Sequence, residues 1–389
     1  MIYANFSQWK MENKRIFVRA DLNVPLANGI ITNDFRLTSA CATIDYILNH
    51  RGSIVLATHI GRPKNKEPEL STKILIPWFE QRGYSILFVQ DIATIATLPI
   101  IAKQIILIEN LRFFPEEKNG DPFFAKQLAR TAYYYINDAF GVIQRSDCSV
   151  ALLPYEFPQE RRSIGLLMEK ELQALTILRD NPARPFVAIL GGGKIEDKIP
   201  LIASLVNKVD TLLLCPALCF SFLKVLAKPV GQSLVNDTML TLCKKIILEA
   251  ENTNTRYMFP VDYQIAYDSI DGPLAVVSAD AFPENAVGIS IGPKTVALFA
   301  AEIKQAKTVF LNCAMGFENR PETRQSTKNI INAMAQSSAN TIIAGGDSVD
   351  IALDTPHYQS IDHLSTGGGA ALAYLSDTLL PGLAAFAEQ

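Results

Sequence analysis

The sequence predicts an α/β protein of two Rossmann-like three-layer domains, each a parallel sheet covered on both faces by helices. Three observations carry this. Short β-rich runs, apolar on both faces, alternate with stretches of helical spacing along most of the chain, the pattern of strands buried between helical layers. A length of 389 residues exceeds what one core usually organises, and a 49% hydrophobic content is ample for two cores. A proline-rich polar break around 155–185 divides the alternation into halves.

In the first half the strands are expected at Arg15–Ala20, Ser53–Thr58, Tyr84–Val89, Ile105–Glu109 and Tyr133–Asn137, with helices at Leu37–Asn49 and Pro122–Thr131. In the break, Pro154, Pro158 and Gln159-Glu-Arg-Arg162 read as exposed connection, followed by a helix at Met168–Leu178 and a turn-rich joint at Asn181-Pro-Ala-Arg-Pro185. The second half continues with strands at Phe186–Leu190, Thr211–Leu214, Arg256–Pro260, Thr308–Asn312 and Thr341–Ala344, and helices at Asn236–Glu251 and Thr327–Gln336. No internal repeat or low-complexity tract interrupts them.

Bulk composition excludes several classes. A net charge of −3 argues against a general nucleic-acid binder. The six cysteines (41, 148, 215, 219, 243 and 313) form no CxxC pair and are accompanied by four histidines, so neither a disulfide framework nor a structural zinc site is expected. The N-terminus lacks a secretory pattern and no uncharged apolar run reaches membrane length, so a cytoplasmic protein without membrane partners is expected.

The most informative segment is Gly191-Gly-Gly-Lys-Ile-Glu-Asp-Lys198. It joins a buried strand to a segment, Ile199 to Val206, of helical spacing. A strand, a glycine turn and a helix present backbone N–H groups at a helix N-terminus, where phosphate oxygens bind. Lys194 and Lys198, four apart, add positive charge to one face. The segment is not a Walker A loop: Ala188 stands where its first glycine would be, and Ile195 replaces the hydroxyl that holds magnesium. Gly345-Gly-Asp-Ser348 repeats the strand–glycine–helix arrangement and adds a carboxylate fit for magnesium. Ser365-Thr-Gly-Gly-Gly-Ala370 and Asn312-Cys-Ala-Met-Gly316 also follow or precede regular elements.

In the first half, polar residues gather just past predicted strands, where open parallel sheets bind ligands. They are Asp21 and Asn23, His59 and Arg62, Arg112, and Arg145, with Arg36 at the start of a helix. Singly, each arginine would read as a solvated surface charge. Together at strand ends they make a basic bowl for a small polyanion, since forked guanidinium donors bind phosphate and carboxylate oxygens in pairs.

These motifs resemble the phosphoglycerate kinase family. VRADLNVP, THIGRP, ENLRF, NDAFG, LGGGKIEDKI, PVD, IGPKT, AGGDS and STGGGA run in that family's order at about its spacing. The resemblance implies two domains joined by a hinge, here 1–165 and 166–366, with 367–389 returning to the first. It implies transfer of phosphate between magnesium ATP and the carboxylate of 3-phosphoglycerate, with domain closure and charge stabilisation as the means; nothing in the sequence demands an oligomer, so a monomer is expected. It assigns Asp21, Asn23, Arg36, His59, Arg62, Arg112 and Arg145 to 3-phosphoglycerate. It assigns Arg36, Lys194 and Gly346 to the reacting centre, and Gly192, Gly193, Lys198, Asn312, Ala344, Gly345, Gly346, Asp347 and Ser348 to the nucleotide, with Asp347 holding Mg2+.

The sequence departs from the family around the base and ribose. Cys215-Pro-Ala-Leu-Cys219 stands where a triple glycine and Met-Ala are usual, and Cys313-Ala314 where Gly-Pro is usual. Asn319 falls at the expected ribose-binding glutamate, with Glu318 one residue earlier. Side chains at 215–219 are expected to reshape the base pocket and loosen discrimination between ATP and GTP. A weakly active or inactive binding paralogue and a kinase of altered nucleotide preference are the alternatives. Retention of Lys194, Lys198, Asp347 and the whole bowl favours an active kinase.

Overall fold

The computed structural model describes residues 5–253, 255–376 and 378–387. The chain forms two compact units, one holding residues up to Gln173 together with those from Leu379, the other Ala174–Thr378. The division falls inside the helix Leu166–Asp180. The helix Gly368–Leu375 belongs to the second unit, and the chain enters the first again only after it.

The first unit is built on β1 (Arg15–Ala20), β2 (Ser53–Ala57), β3 (Ser85–Val89), β4 (Gln104–Ile108), β5 (Tyr134–Asp138) and β6 (Arg162–Ile164). They lie in the order β3-β4-β2-β1-β5-β6, every pair parallel. Successive side chains point to opposite faces. Ile16, Val18, Ile54, Leu56 and Ile136 therefore enter one core, and Phe17, Val55, Ala57, Ile106 and Tyr135 another. Burial on both faces is why these strands read as continuous apolar runs. Arg19 pairs with Ala57 on one side and Asn137 on the other. The three strands thus end level, at the point where the winding of the sheet reverses.

The second unit has β7 (Phe186–Leu190), β8 (Thr211–Leu214), β9 (Arg256–Met258), β13 (Thr308–Asn312), β14 (Asn340–Ala344) and β15 (His363–Ser365) in the parallel order β9-β8-β7-β13-β14-β15. The reversal here lies between β7 and β13, where Leu190 pairs with Asn312. A small antiparallel sheet of β10 (Asp262–Tyr267), β11 (Leu274–Ser278) and β12 (Ala286–Ile291), in the order β11-β10-β12, was not expected from the sequence. Its first residue starts the next helix from a distance. The Asp262 carboxylate accepts from the backbone N–H groups of Lys294 and Thr295 at 3.0 and 2.8 Å.

Most expected strands are present to within a residue or two. The segment 159–162 is not simply connection, because its end opens the edge strand β6. The final residues bind the first unit: Asn137 Nδ2 donates to the carbonyl of Gly382 at 3.0 Å, and the Gly382 N–H donates to that of Ile143 at 2.9 Å. Among the described residues no helix is long and apolar enough to cross a membrane.

Candidate active site

In the first unit the predicted bowl residues gather past the level ends of β1, β2 and β5. Asp21, at the end of β1, accepts from Arg36 Nη1 at 3.0 Å. The same nitrogen donates to the carbonyl of Asn23 at 3.2 Å. Asn23 Oδ1 accepts from the Gly61 N–H at 2.8 Å, and Arg112 donates to the Gly61 carbonyl. One network thus joins the loops after β1, β2 and β4. His59, buried after β2, sets its Nδ1 3.9 Å from Asp21 Oδ1. Arg145 makes a 3.0 Å ion pair with Asp147. Arg62 is exposed beside Gly61.

Clustered arginines and burial set the electrostatics of the bowl. Burial and then the field of Arg145 lower the Arg112 guanidinium to about 10. His59 is held well below its usual range by burial, then by Arg19, Arg112, Arg36 and Arg145. Its imidazole is therefore neutral, and it serves as a hydrogen-bonding group rather than a cation.

Two residues at this site were missed by sequence reasoning. Arg19 lies within β1 and is 1% exposed. Its guanidinium donates to Ser149 Oγ at 2.8 Å and to the Ala20 carbonyl at 2.6 Å, and reaches His59 Nδ1 at 3.4 Å. The available signal was an arginine in a strand buried on both faces, which cannot be a solvated surface charge. Asp147 is the other; only its spacing from Arg145 could have pointed to it.

In the second unit four loops converge on Asn312, the last residue of β13. Gly191 donates its N–H to the Asn312 carbonyl at 3.2 Å, and Gly192 to that of Pro216 at 2.8 Å. These two N–H groups tie the loop to the segments at 312 and 216, so they do not stand bare for a phosphate, contrary to the glycine-turn expectation. Lys198, one turn into the helix Ile195–Leu205, donates to the carbonyls of Gly191 and Asn312. Burial lowers its ammonium, the field of Cys313 raises it, that of Lys194 lowers it and that of Asp347 raises it. Gly192 has φ of +96°, and a Cβ there would stand 3.1 Å from Lys198 Nζ. Lys194 and Gly193 are exposed at the mouth of the loop.

Asn312 Nδ2 donates to the Ala344 carbonyl at 2.9 Å. Gly345 turns with φ of +110°, a conformation that favours glycine. A Cβ on Gly368 would come within 2.5 Å of the Gly345 Cα, so the third glycine loop packs directly on the second. Gly346 and Asp347 are exposed at the start of the helix Gly346–Leu353, and Ser348 is buried beneath them. Glu318 and Asn319 are both exposed.

The segment 215–219, where the sequence departs from the family, is largely buried. Within 215–219 only Ala217 has appreciable exposure. The chain turns the sulfurs inward: a Cβ on Gly191 would lie 2.5 Å from Cys313 Sγ and 2.6 Å from Cys215 Cβ. The two thiols fill a packed layer beneath the glycine loop.

Magnesium fits this donor set. Among the described residues no cluster of three or more His, Cys, Asp or Glu side chains could form a protein cage for a metal. Asp347 offers one solvent-facing carboxylate at a helix start, and Mg2+ is typically bound by one or two carboxylates with substrate phosphates and waters.

Comparison with known proteins agrees. The family model described as phosphoglycerate kinase matches residues 6–378. Phosphoglycerate kinase of Solibacter usitatus is 39% identical over 99% of both chains, and that of Finegoldia magna 36% over 96% of both. The solved phosphoglycerate kinase structure of Coxiella burnetii superposes with a TM-score of 0.84 at 30% identity, covering 98% of this chain and 97% of its own. That of Pyrococcus horikoshii gives 0.87 at 25%, covering 99% and 98%. With its bowl of arginines at one switch point and its paired lysines and glycine loops at another, the chain belongs to the phosphoglycerate kinase family, a family of phosphotransferases.

Proposed function

We propose that the chain catalyses reversible phosphoryl transfer between ATP and the carboxylate of 3-phosphoglycerate. The observation that carries this is the pairing, within one family member, of a bowl of converging arginines with a glycine-loop site holding Lys194, Lys198 and Asp347. Asp21, Asn23, Arg36, His59, Arg62, Arg112 and Arg145 bind 3-phosphoglycerate. Gly192, Gly193, Lys198, Asn312, Ala344, Gly345, Gly346 and Ser348 line the nucleotide, with Glu318 or Asn319 at the ribose. Asp347 holds Mg2+, which neutralises phosphate charge when bound.

The acceptor carboxylate is already ionised at neutral pH, so no side chain need remove a proton. The catalytic work is then positioning and charge stabilisation of a loose phosphoryl transition state. Lys194 supplies a mobile cation to the transferring group, and Arg36 neutralises charge at the acceptor carboxylate. Gly346 brings backbone N–H donors close to the phosphates. Six unpaired cysteines suit a reducing cytoplasm, and a monomer suffices for this chemistry.

The test is steady-state transfer from magnesium ATP to 3-phosphoglycerate by the full chain and by Lys194→Ala. The variant should lose about 10²–10³-fold in kcat, the usual effect of removing a transition-state donor. Unchanged kcat in the variant, or no turnover by folded wild type, would overturn the reading.

A further inference from the structure

A buried chain of hydrogen bonds runs beneath the bowl from Glu117 to His59. We propose that it fixes His59 as the tautomer carrying its proton on Nε2, making Arg19, Ser149 and Glu117 positioning residues for the anion-binding bowl. The role in substrate binding rests on 3-phosphoglycerate occupying that bowl; the tautomer does not.

The chain begins at Glu117, which is 1% exposed. Its carboxylate accepts from the Ser149 N–H at 2.9 Å and from the Ser149 hydroxyl at 2.6 Å. Ser149 Oγ in turn accepts from Arg19 Nε at 2.8 Å. Arg19 Nη1 is occupied by the Ala20 carbonyl, which aims Nη2 at His59 Nδ1, 3.4 Å away. A guanidinium only donates and stays charged in proteins, so the nitrogen facing it must accept. An imidazole that accepts at Nδ1 and is neutral carries its proton on Nε2.

The charged groups around the ring favour the same state. Arg19, Arg112, Arg36 and Arg145 all disfavour a second proton. Asp21 is the acidic group facing the ring, and its Oδ1 is 3.9 Å from Nδ1, beyond a hydrogen bond. Asp21 is itself held by Arg36 at 3.0 Å. Glu117 provides a buried counter-charge: burial pushes its carboxyl up, while the field of Arg19 and the two Ser149 bonds hold it down. The result is a neutral ring with a single oriented donor. It can bind an oxyanion without adding charge that would vary with pH.

The first measurement needs no variant. Nitrogen-resolved NMR of the ligand-free full chain should show His59 with Nδ1 bare and Nε2 protonated at neutral pH. Adding 3-phosphoglycerate should move the Nε2 resonance more than that of Nδ1. A proton on Nδ1, or an imidazolium at neutral pH, would overturn the proposal.

The second measurement removes the donor in Arg19→Met combined with Glu117→Gln, which leaves no lone buried charge. Nδ1 then has Asp21 as its nearest polar partner, so the proton should move to Nδ1 and the ring should titrate. KM for 3-phosphoglycerate should rise about tenfold at pH 8, the scale of one charged hydrogen bond, and fall again toward pH 6 as the ring gains charge. KM for ATP should not change. A purely structural role for Arg19 would leave the tautomer and the pH profile as in wild type, and that outcome also refutes the proposal. If the NMR result holds but 3-phosphoglycerate neither moves the ring nor is turned over, the substrate reading fails and the tautomer assignment stands.

Discussion

Removing a negative charge from the bowl should improve the affinity for 3-phosphoglycerate. Asp147 occupies Arg145 through a 3.0 Å ion pair, with side-chain exposures of 9% and 36%. Any anion that uses Arg145 must compete with that carboxylate. Two unit charges about 4 Å apart interact by about 1 kcal/mol in water and about 4 kcal/mol at an effective dielectric of 20. Because Arg145 is more than a third exposed, the lower figure applies, in line with measured exposed pairs. Asp147→Asn should therefore release about 1 kcal/mol to the substrate, a factor of about five in KM. The same carboxylate also steadies the charge on Arg112, and its loss removes one negative charge from beside the arginines. The assay is KM for 3-phosphoglycerate at saturating magnesium ATP, repeated at two ionic strengths. The gain should shrink at high salt, and KM for ATP should stay constant. A KM that is unchanged or higher would mean that Asp147 orients Arg145 for the substrate instead of withholding it, and the competition argument would be wrong.

Two further outcomes test the nucleotide half. Gly191→Ala should destabilise the protein by about 1–3 kcal/mol through overpacking, since its Cβ would meet Cys313 and Cys215 within 2.6 Å; an unchanged Tm would contradict the packed sulfur layer. Alkylation of the native protein should label Cys41 first, because it is half-buried while the other five thiols are buried. Burial also pushes Cys148 up to about 12 and Cys243 to about 11; a first adduct at Cys215 or Cys219, found by mass spectrometry, would reverse that order.

Much of the fold was legible because both central sheets are covered on both faces. β1, β7, β8 and β13 stand where their apolar runs predict, residue for residue. A strand buried on two sides needs no help from its neighbours to be recognised. The elements that escaped are those defined by pairing. β6 and β15 are three residues each at sheet edges, and their partners β5 and β14 place them. β11 is half-exposed, and its antiparallel partners give the segment an order that no local period announces.

The site divides in the same way. Asp21, His59, Arg112 and Arg145 were legible because ligand groups follow the carboxyl ends of strands in doubly wound sheets, and these residues do. What they bind to was not legible. Whether an arginine is available to a substrate depends on what already occupies it, and that partner can lie anywhere in the chain. Arg112 is fixed by the Gly61 carbonyl across the bowl, Arg145 is taken by Asp147 two residues away, and Arg19 is committed to Ser149 and His59. The inward turn of Cys215 and Cys219 shows the same limit in the second unit: residue type located the departure from the family, but only packing decided that the sulfurs are buried in the core. Sequence position thus predicts which residues reach an active site, whereas their free charge, tautomer and accessible face are set by contacts made in three dimensions.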